Sequence, residues 1–296
     1  MTMKRFLPYL TILILIFGFS FVHGQATINV TAGATDNTVN GNCSLREAVE
    51  SANTNTAVDA CTAGQSGGTD VINIPDATYD LSTIGTDIHL SSDLTLNGTS
   101  QAGTIIQAHA NAGTATDRIF LVDAVDIDVT IEDMTIEHGR FTSTGVNRRG
   151  AGIGIDSGGG ASTGTVTLTR VTVDDNETAA GGGGINVEDN LATITLTDCT
   201  ISNNSAFNAG GFRQAGAATA NVSGCIFIGN TAINKEGGGI NMTFSSSNNT
   251  FTNCSFLNNT VPNNNADSDG GAAYIQNATS TTFISCTFSG NSAADH

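Results

Sequence analysis

The sequence contains no tryptophan, three prolines in 296 residues, and ten basic residues against 27 acidic ones. Aromatic residues make up 6% of it, so rings to stack on sugars are scarce. The shortage of cations leaves a net charge of −17, which excludes nucleic acid and anionic membranes as natural partners, because both need basic patches. No lipid-accepting cysteine follows the one long apolar run, which excludes a lipoprotein. What is abundant is Thr, Asn and Gly, with 35 glycines. Thr, Val and Ile favour pleated surfaces while Gly and Asn favour turns, a balance that suits short strands joined by tight bends.

The N-terminus predicts a secretory signal over residues 1–24. Lys4 and Arg5 precede the apolar stretch Leu10–Val22, and Val22-His23-Gly24 occupies the cleavage positions before Gln25. The competing reading is an uncleaved anchor, since Phe6–Val22 approaches spanning length. The polar, strand-like sequence beyond Gln25 argues for cleavage and against a stable membrane span. Cleavage removes Lys4 and Arg5, leaving eight basic residues against 27 acidic ones and a net charge of −19. That acidity suits a soluble exported protein and offers weak Ca²⁺ binding as its functional alternative.

Two short strings recur in register through the second half. One is an apolar residue, two variable residues and Asn: Val173–Asn176, Ile201–Asn204, Phe227–Asn230, Phe256–Asn259 and Phe288–Asn291. The other is a small-residue run entering a strand: Gly150–Ile153, Gly182–Ile185, Ala209–Phe212, Gly237–Ile240 and Gly270–Ala273. The first series is spaced 28, 26, 29 and 32 residues apart and the second 32, 27, 28 and 33. Two motifs keeping nearly one period mean one structural unit repeated, with loops absorbing the length differences. Within a period the apolar residues alternate, as at Ile185/Val187, Ile194/Leu196 and Cys199/Ile201, which specifies strands. The step of three from Leu196 to Cys199 recurs at Val222–Cys225, Phe251–Cys254 and Phe283–Cys286 and marks a corner. Three short strands per coil with a fixed corner predict an all-β fold, a right-handed parallel β-helix of the pectate-lyase-like kind. Residues 70–139 form its less regular first coils, regular repeats begin near 150, and polar Arg140–Arg149 leaves the coil as a loop.

The repeated positions read first as structure. Asn176, Asn204, Asn230, Asn259 and Asn291 stack as a ladder, since Asn tolerates left-handed turns and its amide both donates and accepts. Cys199, Cys225, Cys254 and Cys286 form a row of buried thiols. Equivalent Cβ atoms on stacked strands lie about 4.8 Å apart, too far for a bridge, and a linear row cannot make a tetrahedral metal site. Cys43 and Cys61 flank a helical stretch outside the repeat and predict a disulfide. Ser44-Leu45-Arg46-Glu47 is a capping box, followed by an apolar face of Leu45, Ala48, Val49 and Ala52 that ends near Asn53. Such a helix covers the open end of a solenoid and hides unpaired strand edges. Residues 25–69 are accordingly an N-terminal strand and cap, and 70–296 the solenoid.

Cys43–Ala48 with Ala52-Asn53, followed by Asp70–Pro75, resembles the start of the CSLREA-domain exported β-helix proteins of bacteria. The downstream strings resemble the GGA-plus-apolar and F-x-x-N repeats of polymorphic outer-membrane proteins, across about residues 26–291. Val173 and Ile201 depart from the Phe of that pattern, and Gly replaces its Ala in most coils. The resemblance implies a passenger displayed on or released from a bacterial cell surface, with an adhesive role. In such relatives an export or anchoring domain usually lies C-terminal, so the expectation here is either a chain truncated near His296 or a minimal C-terminal cap.

A β-helix enzyme is the alternative, a polysaccharide lyase or hydrolase. Lyase chemistry needs clustered carboxylates holding Ca²⁺ and a base. The candidates are Asp126, Asp128 and Glu132 on one outward face, then Asp174 and Asp175, with Arg170, Arg148, Arg149 or His138 as base. Outward carboxylates equally serve solubility and edge protection. Asp267-Ser268-Asp269-Gly270 opens like a Ca²⁺ loop but lacks the downstream Glu. No cofactor or resident metal is expected. The leading reading is a non-catalytic scaffold, secreted or on the cell surface or outer membrane, contacting a surface polysaccharide or a host ligand.

Overall fold

The computed structural model describes residues 24–142, 149–156, 163–188, 193–243, 248–263 and 269–294. The expected signal, Arg148 and Asp267–Ser268 lie outside them. Among the described residues no helix is long and apolar enough to cross a membrane.

Each alternating cluster pairs in parallel with the cluster one coil away. Three sheets result, the third beginning only at Arg140. The first is the broadest. It stacks Thr27–Asn29, Asp70–Ile74, Leu94–Gly98, Asp128–Glu137, Thr165–Asp174, Thr193–Thr197, Thr219–Ser223, Asn248–Thr252 and Ser280–Ile284. It then bends and continues through Thr200–Ser202, Ile226–Ile228, Ser255–Leu257 and Thr287–Ser289. The second sheet stacks seven strands from Ile88–Leu90 to Ala273–Ile275, and the third six strands from Arg140–Phe141 to Ser292–Ala293.

The register puts like residues over like. Ile201 pairs Phe227, Phe227 pairs Phe256, and Phe256 pairs Phe288. The rings of Phe227 and Phe256 stack at 4.8 Å with a 4° interplanar angle, as do those of Phe256 and Phe288. That distance is the ordinary spacing of hydrogen-bonded strands. Parallel apolar columns thus fill the bore, Leu168 and Leu196 in one and Ile201, Phe227 and Phe256 in another, all fully buried. Met134 and Ile136 pair Val171 and Val173; the Cys column begins one coil further on at Cys199 and the Phe column two coils further on at Phe227.

Three of the turns in each regular coil take one residue with positive φ. Asp133, Arg170, Asp198, Gly224, Asn253 and Ser285 take it at the bend of the first sheet. His138, Asp175, Asn203, Gly229, Asn258 and Gly290 take it before the third sheet. Gly150, Gly182, Ala209, Gly237 and Gly270 take it before the second. The left-handed residue is therefore the one before each ladder Asn and not the ladder Asn itself, whose side chain is committed inward. At the third corner Gly182 supplies the dihedral (φ 66°). Gly184 answers a different need, since a Cβ there would lie 2.8 Å from the Gly211 carbonyl and 3.0 Å from the Asn204 side chain.

Two departures from the sequence expectation concern one segment. The coil has four strand segments where three were expected, the extra one being Ser205–Asn208 and its equivalents in the third sheet. Arg140–Phe141 is the first of these, pairing Glu177–Thr178, so the first two residues of the expected loop belong to the coil, while residues 143–148 of it lie outside the described residues. These strands run to as few as two residues and turn inward mainly one small side chain, such as Ala206 or Ala232. That leaves no periodicity to read.

At the N-terminal end, α1 (Leu45–Thr54) lies on the first strands of the first and second sheets. Ser44 Oγ accepts from the Glu47 amide at 3.2 Å, and Glu47 Oε2 accepts from the Ser44 amide at 2.9 Å. Leu45, Ala48, Val49 and Ala52 are buried. The helix ends at left-handed Asn55 (φ 53°), two residues beyond Asn53. Cys43 and Cys61 are joined as a disulfide that brackets it.

Candidate functional site

The carboxylates singled out as catalytic candidates bind the neighbouring coil. Asp126 accepts from the Thr163 amide at 2.7 Å and hydroxyl at 3.1 Å, and the amide bond holds its carboxyl below the usual range. Asp128 accepts from the Thr165 amide at 3.0 Å and hydroxyl at 2.6 Å. Arg170 forms a fork with Asp133, both contacts 2.6 Å, with Glu132 at 3.9 Å. Asp174 accepts from Ser202 Oγ at 2.6 Å and Asn203 Nδ2 at 2.9 Å, while Asp175 forms a corner (φ 49°). Asp128 pairs Thr165 and Glu137 pairs Asp174, so the two acidic pairs sit at opposite ends of a ten-residue strand. His138 Nδ1 contacts the His109 carbonyl at 2.9 Å. Arg149 is paired with Glu188. These residues are brought onto one rod but not into one site.

A charged cluster that sequence reasoning missed lies beside α1. His89 Nδ1 meets Asp123 Oδ2 at 2.5 Å and its Nε2 meets Asp87 Oδ1 at 3.2 Å. Ser91 Oγ donates to Asp123 Oδ1 at 2.6 Å, and Arg118 Nε is 3.0 Å from Asp87 Oδ2. Partial burial of the ring works to lower the His89 pKa, but the Asp123 hydrogen bond and both carboxylate charges outweigh it and raise it. Arg46 and Glu50 border the open cleft of about 290 Å³ in front. The alternation Asp87-x-His89-x-Ser91 was a readable outward strand face; Asp123 and Arg118 arrive from the next coil, which only register reveals. With both ring nitrogens held by carboxylates, His89 is neither a free base nor a free ligand. Among the described residues no three His, Cys, Asp or Glu side chains converge as metal ligands.

The thiol column runs Cys199, Cys225, Cys254, Cys286, all four free. Hydrogen bonding from the Cys225 thiol lowers the Cys254 pKa to about 7, and Cys225 itself is raised by its Cys199 and Cys254 contacts. Cys199, Cys225 and Cys254 are buried and belong to the core, whereas Cys286, expected to be buried with them, is only half-buried in the last coil.

The widest regular surface is the outward face of the first sheet. Thr165 pairs Thr193, which pairs Thr219. Thr167 pairs Thr195, then Asn221, Thr250 and Thr282. Thr169 pairs Thr197, then Ser223, Thr252 and Ile284. Asn248 pairs Ser280 at the outer column's far end. Period two points every one of them away from the bore. None of these side chains carries a charge, in a chain of net charge −17. Among the described residues the hydroxyls of Thr167, Thr169, Thr193, Thr195, Thr197, Thr219, Thr250, Thr252 and Thr282 make no hydrogen bond within the protein. The face is a lattice of hydroxyl and methyl groups open to solvent.

An unbroken parallel solenoid with laddered interior columns defines the class of protein. A family model described as a right-handed β-helix region matches residues 118–296, and the chain belongs to that family. No curated protein matches it. Among solved structures, a chain described as Geobacillus virus E2 ORF18 is similar at 14% identity and a TM-score of 0.32. That similarity covers 75% of this chain, which spans 55% of the viral one.

Proposed function

We propose that this chain is an exported, non-catalytic β-helix scaffold that adheres through the flat hydroxyl face of its first sheet. The supporting observation is that face: three uncharged columns continuing coil after coil, with their hydroxyls unused by the fold. The signal-like N-terminus and the Cys43–Cys61 bridge suit an oxidising compartment, outside the cell or at its surface. The commitment of Asp126, Asp128, Arg170 and Asp174 to coil-to-coil hydrogen bonds favours a scaffold over a lyase or hydrolase. Surface polysaccharide is the expected partner class. Rows of Thr, Ser and Asn offer repeated hydrogen bonds to sugar hydroxyls, and individually weak contacts add up along a repeating ligand.

Expression of the full chain in a bacterial host tests export, with the mature N-terminus expected at Gln25. Depletion from solution by insoluble polysaccharides, against a Thr167→Arg/Thr195→Arg variant, tests adhesion. Retention that the double substitution abolishes supports the reading. Retention unchanged by it removes the face from consideration, and cleavage of the polysaccharide removes the non-catalytic scaffold.

A further inference from the structure

The repeat of this face is set by backbone geometry, so it has a fixed pitch. Neighbouring coils lie about 4.8 Å apart and alternate residues along a strand about 6.7 Å apart; the stacked rings on the strands beyond the bend repeat at that same 4.8 Å. Registers from Thr165–Thr169 through Thr193–Thr197 to Thr219–Ser223 continue without a shift, so these hydroxyls form a rectangular net and not a scattered set. We infer that this net binds crystalline water: the face is an ice-adsorbing surface. The inference rests on reading the face as adhesive and names the solid to which it adheres.

Three features favour ice over other solids. The pitch along and across the strands falls close to the oxygen repeats of ice surfaces, so one coil after another meets an equivalent lattice point. From Thr165 onward the three columns carry no charge, Asp128 and Glu132 standing one coil before them, and a charged group would hold its own hydration shell out of register with a crystal. Each threonine presents a methyl beside a hydroxyl, so water is caged over apolar surface while being hydrogen-bonded to the protein. The β-branched side chain suits the role for a further reason. Its χ1 is restricted, so the net is largely ordered before any ligand arrives and little rotamer entropy is lost on adsorption.

The experiment uses the mature chain with its disulfide intact. Thermal hysteresis, shaping of a single ice crystal and partition of the protein into slowly growing ice are read together. The account expects a freezing gap, faceted crystals and enrichment in the ice fraction. Thr195→Lys should reduce all three by roughly tenfold, because a misfit in the central column prevents simultaneous engagement of its neighbours. Ile233→Lys, an equal change of charge at an exposed position off this sheet, should leave them unchanged. Thr195→Val keeps the branch and methyl, tests the hydroxyl separately and guards against a folding artefact, with circular dichroism checked for each variant. Absence of hysteresis and of ice enrichment, or equal activity in Thr195→Lys, overturns the inference. Polysaccharide retention without ice adsorption leaves the adhesive scaffold standing and removes ice as its target; failure of both removes the adhesive face as well.

Discussion

The side-chain amide of Asn204 serves two coils at once. Its Oδ1 accepts from the Asn176 amide at 3.1 Å and Nδ2 at 3.0 Å, while its Nδ2 donates to the Val173 carbonyl at 2.9 Å and Asn230 Oδ1 at 3.0 Å. The residue is fully buried, so none of these groups can turn to water instead. Asn204→Ala should destabilise the fold by about 3 kcal/mol, because it strands several buried polar groups at once; a shift in urea midpoint worth less than about 1 kcal/mol would contradict the ladder's role. His89 gives a second prediction at this scale. Its pKa is raised above the 6.5 of free histidine, so the ion pairs with Asp87 and Asp123 contribute fully below that value and fade as pH rises through the raised one. The melting temperature should therefore fall on going from mildly acidic to mildly alkaline conditions, with the step absent in His89→Gln. The same two residues mark the limits of sequence reading. The Asn column was legible because it repeats. Its separation from the left-handed position was not, since Asn suits both a turn and a ladder, and only backbone angles assign the turn to Asn203.

At the scale of elements, α1 joins the solenoid through its apolar face, its capping box and the Cys43–Cys61 bridge. Reduction opens a loop with an 18-residue separation, a loss of about 3 kcal/mol in the chain-entropy model. Thiol reductant should lower the melting temperature of the wild type and leave a Cys43→Ser/Cys61→Ser double variant unmoved; equal melting curves with and without reductant would contradict this. The helix was readable because capping, amphipathic spacing and paired cysteines all act locally. The third sheet was not, because strands such as Thr231–Ala232 gain their definition from the coils above and below. The candidate acidic site failed for the same reason: Asp126 and Asp128 were placed outward by alternation, but Thr163 and Thr165, which occupy them, belong to the next coil.

Over the whole molecule, stability is distributed along a line, since each coil touches only its neighbours and interfaces add roughly one by one. The dependence on close approach is uniform, and Gly184 samples it in mid-rod. Gly184→Val would drive a side chain into the Gly211 carbonyl and the Asn204 amide and part the coils on either side. Denaturant unfolding of that variant should split into separate transitions for the two halves; a single sharp transition at the wild-type midpoint would contradict the stacked arrangement. The hydroxyl face is a property of this scale alone. No single threonine identifies it, and the sequence displays it only after register aligns Thr167 with Thr195 and Thr250 with Thr282.

The central claim, that successive coils superimpose residue on residue, is tested most directly by side-chain amide NMR of the asparagine column. Slowly exchanging Nδ2 protons on Asn176, Asn204, Asn230 and Asn259 should show contacts running in that order. Amides exchanging at solvent rates, with no contacts between residues 26 to 29 positions apart, would contradict the account.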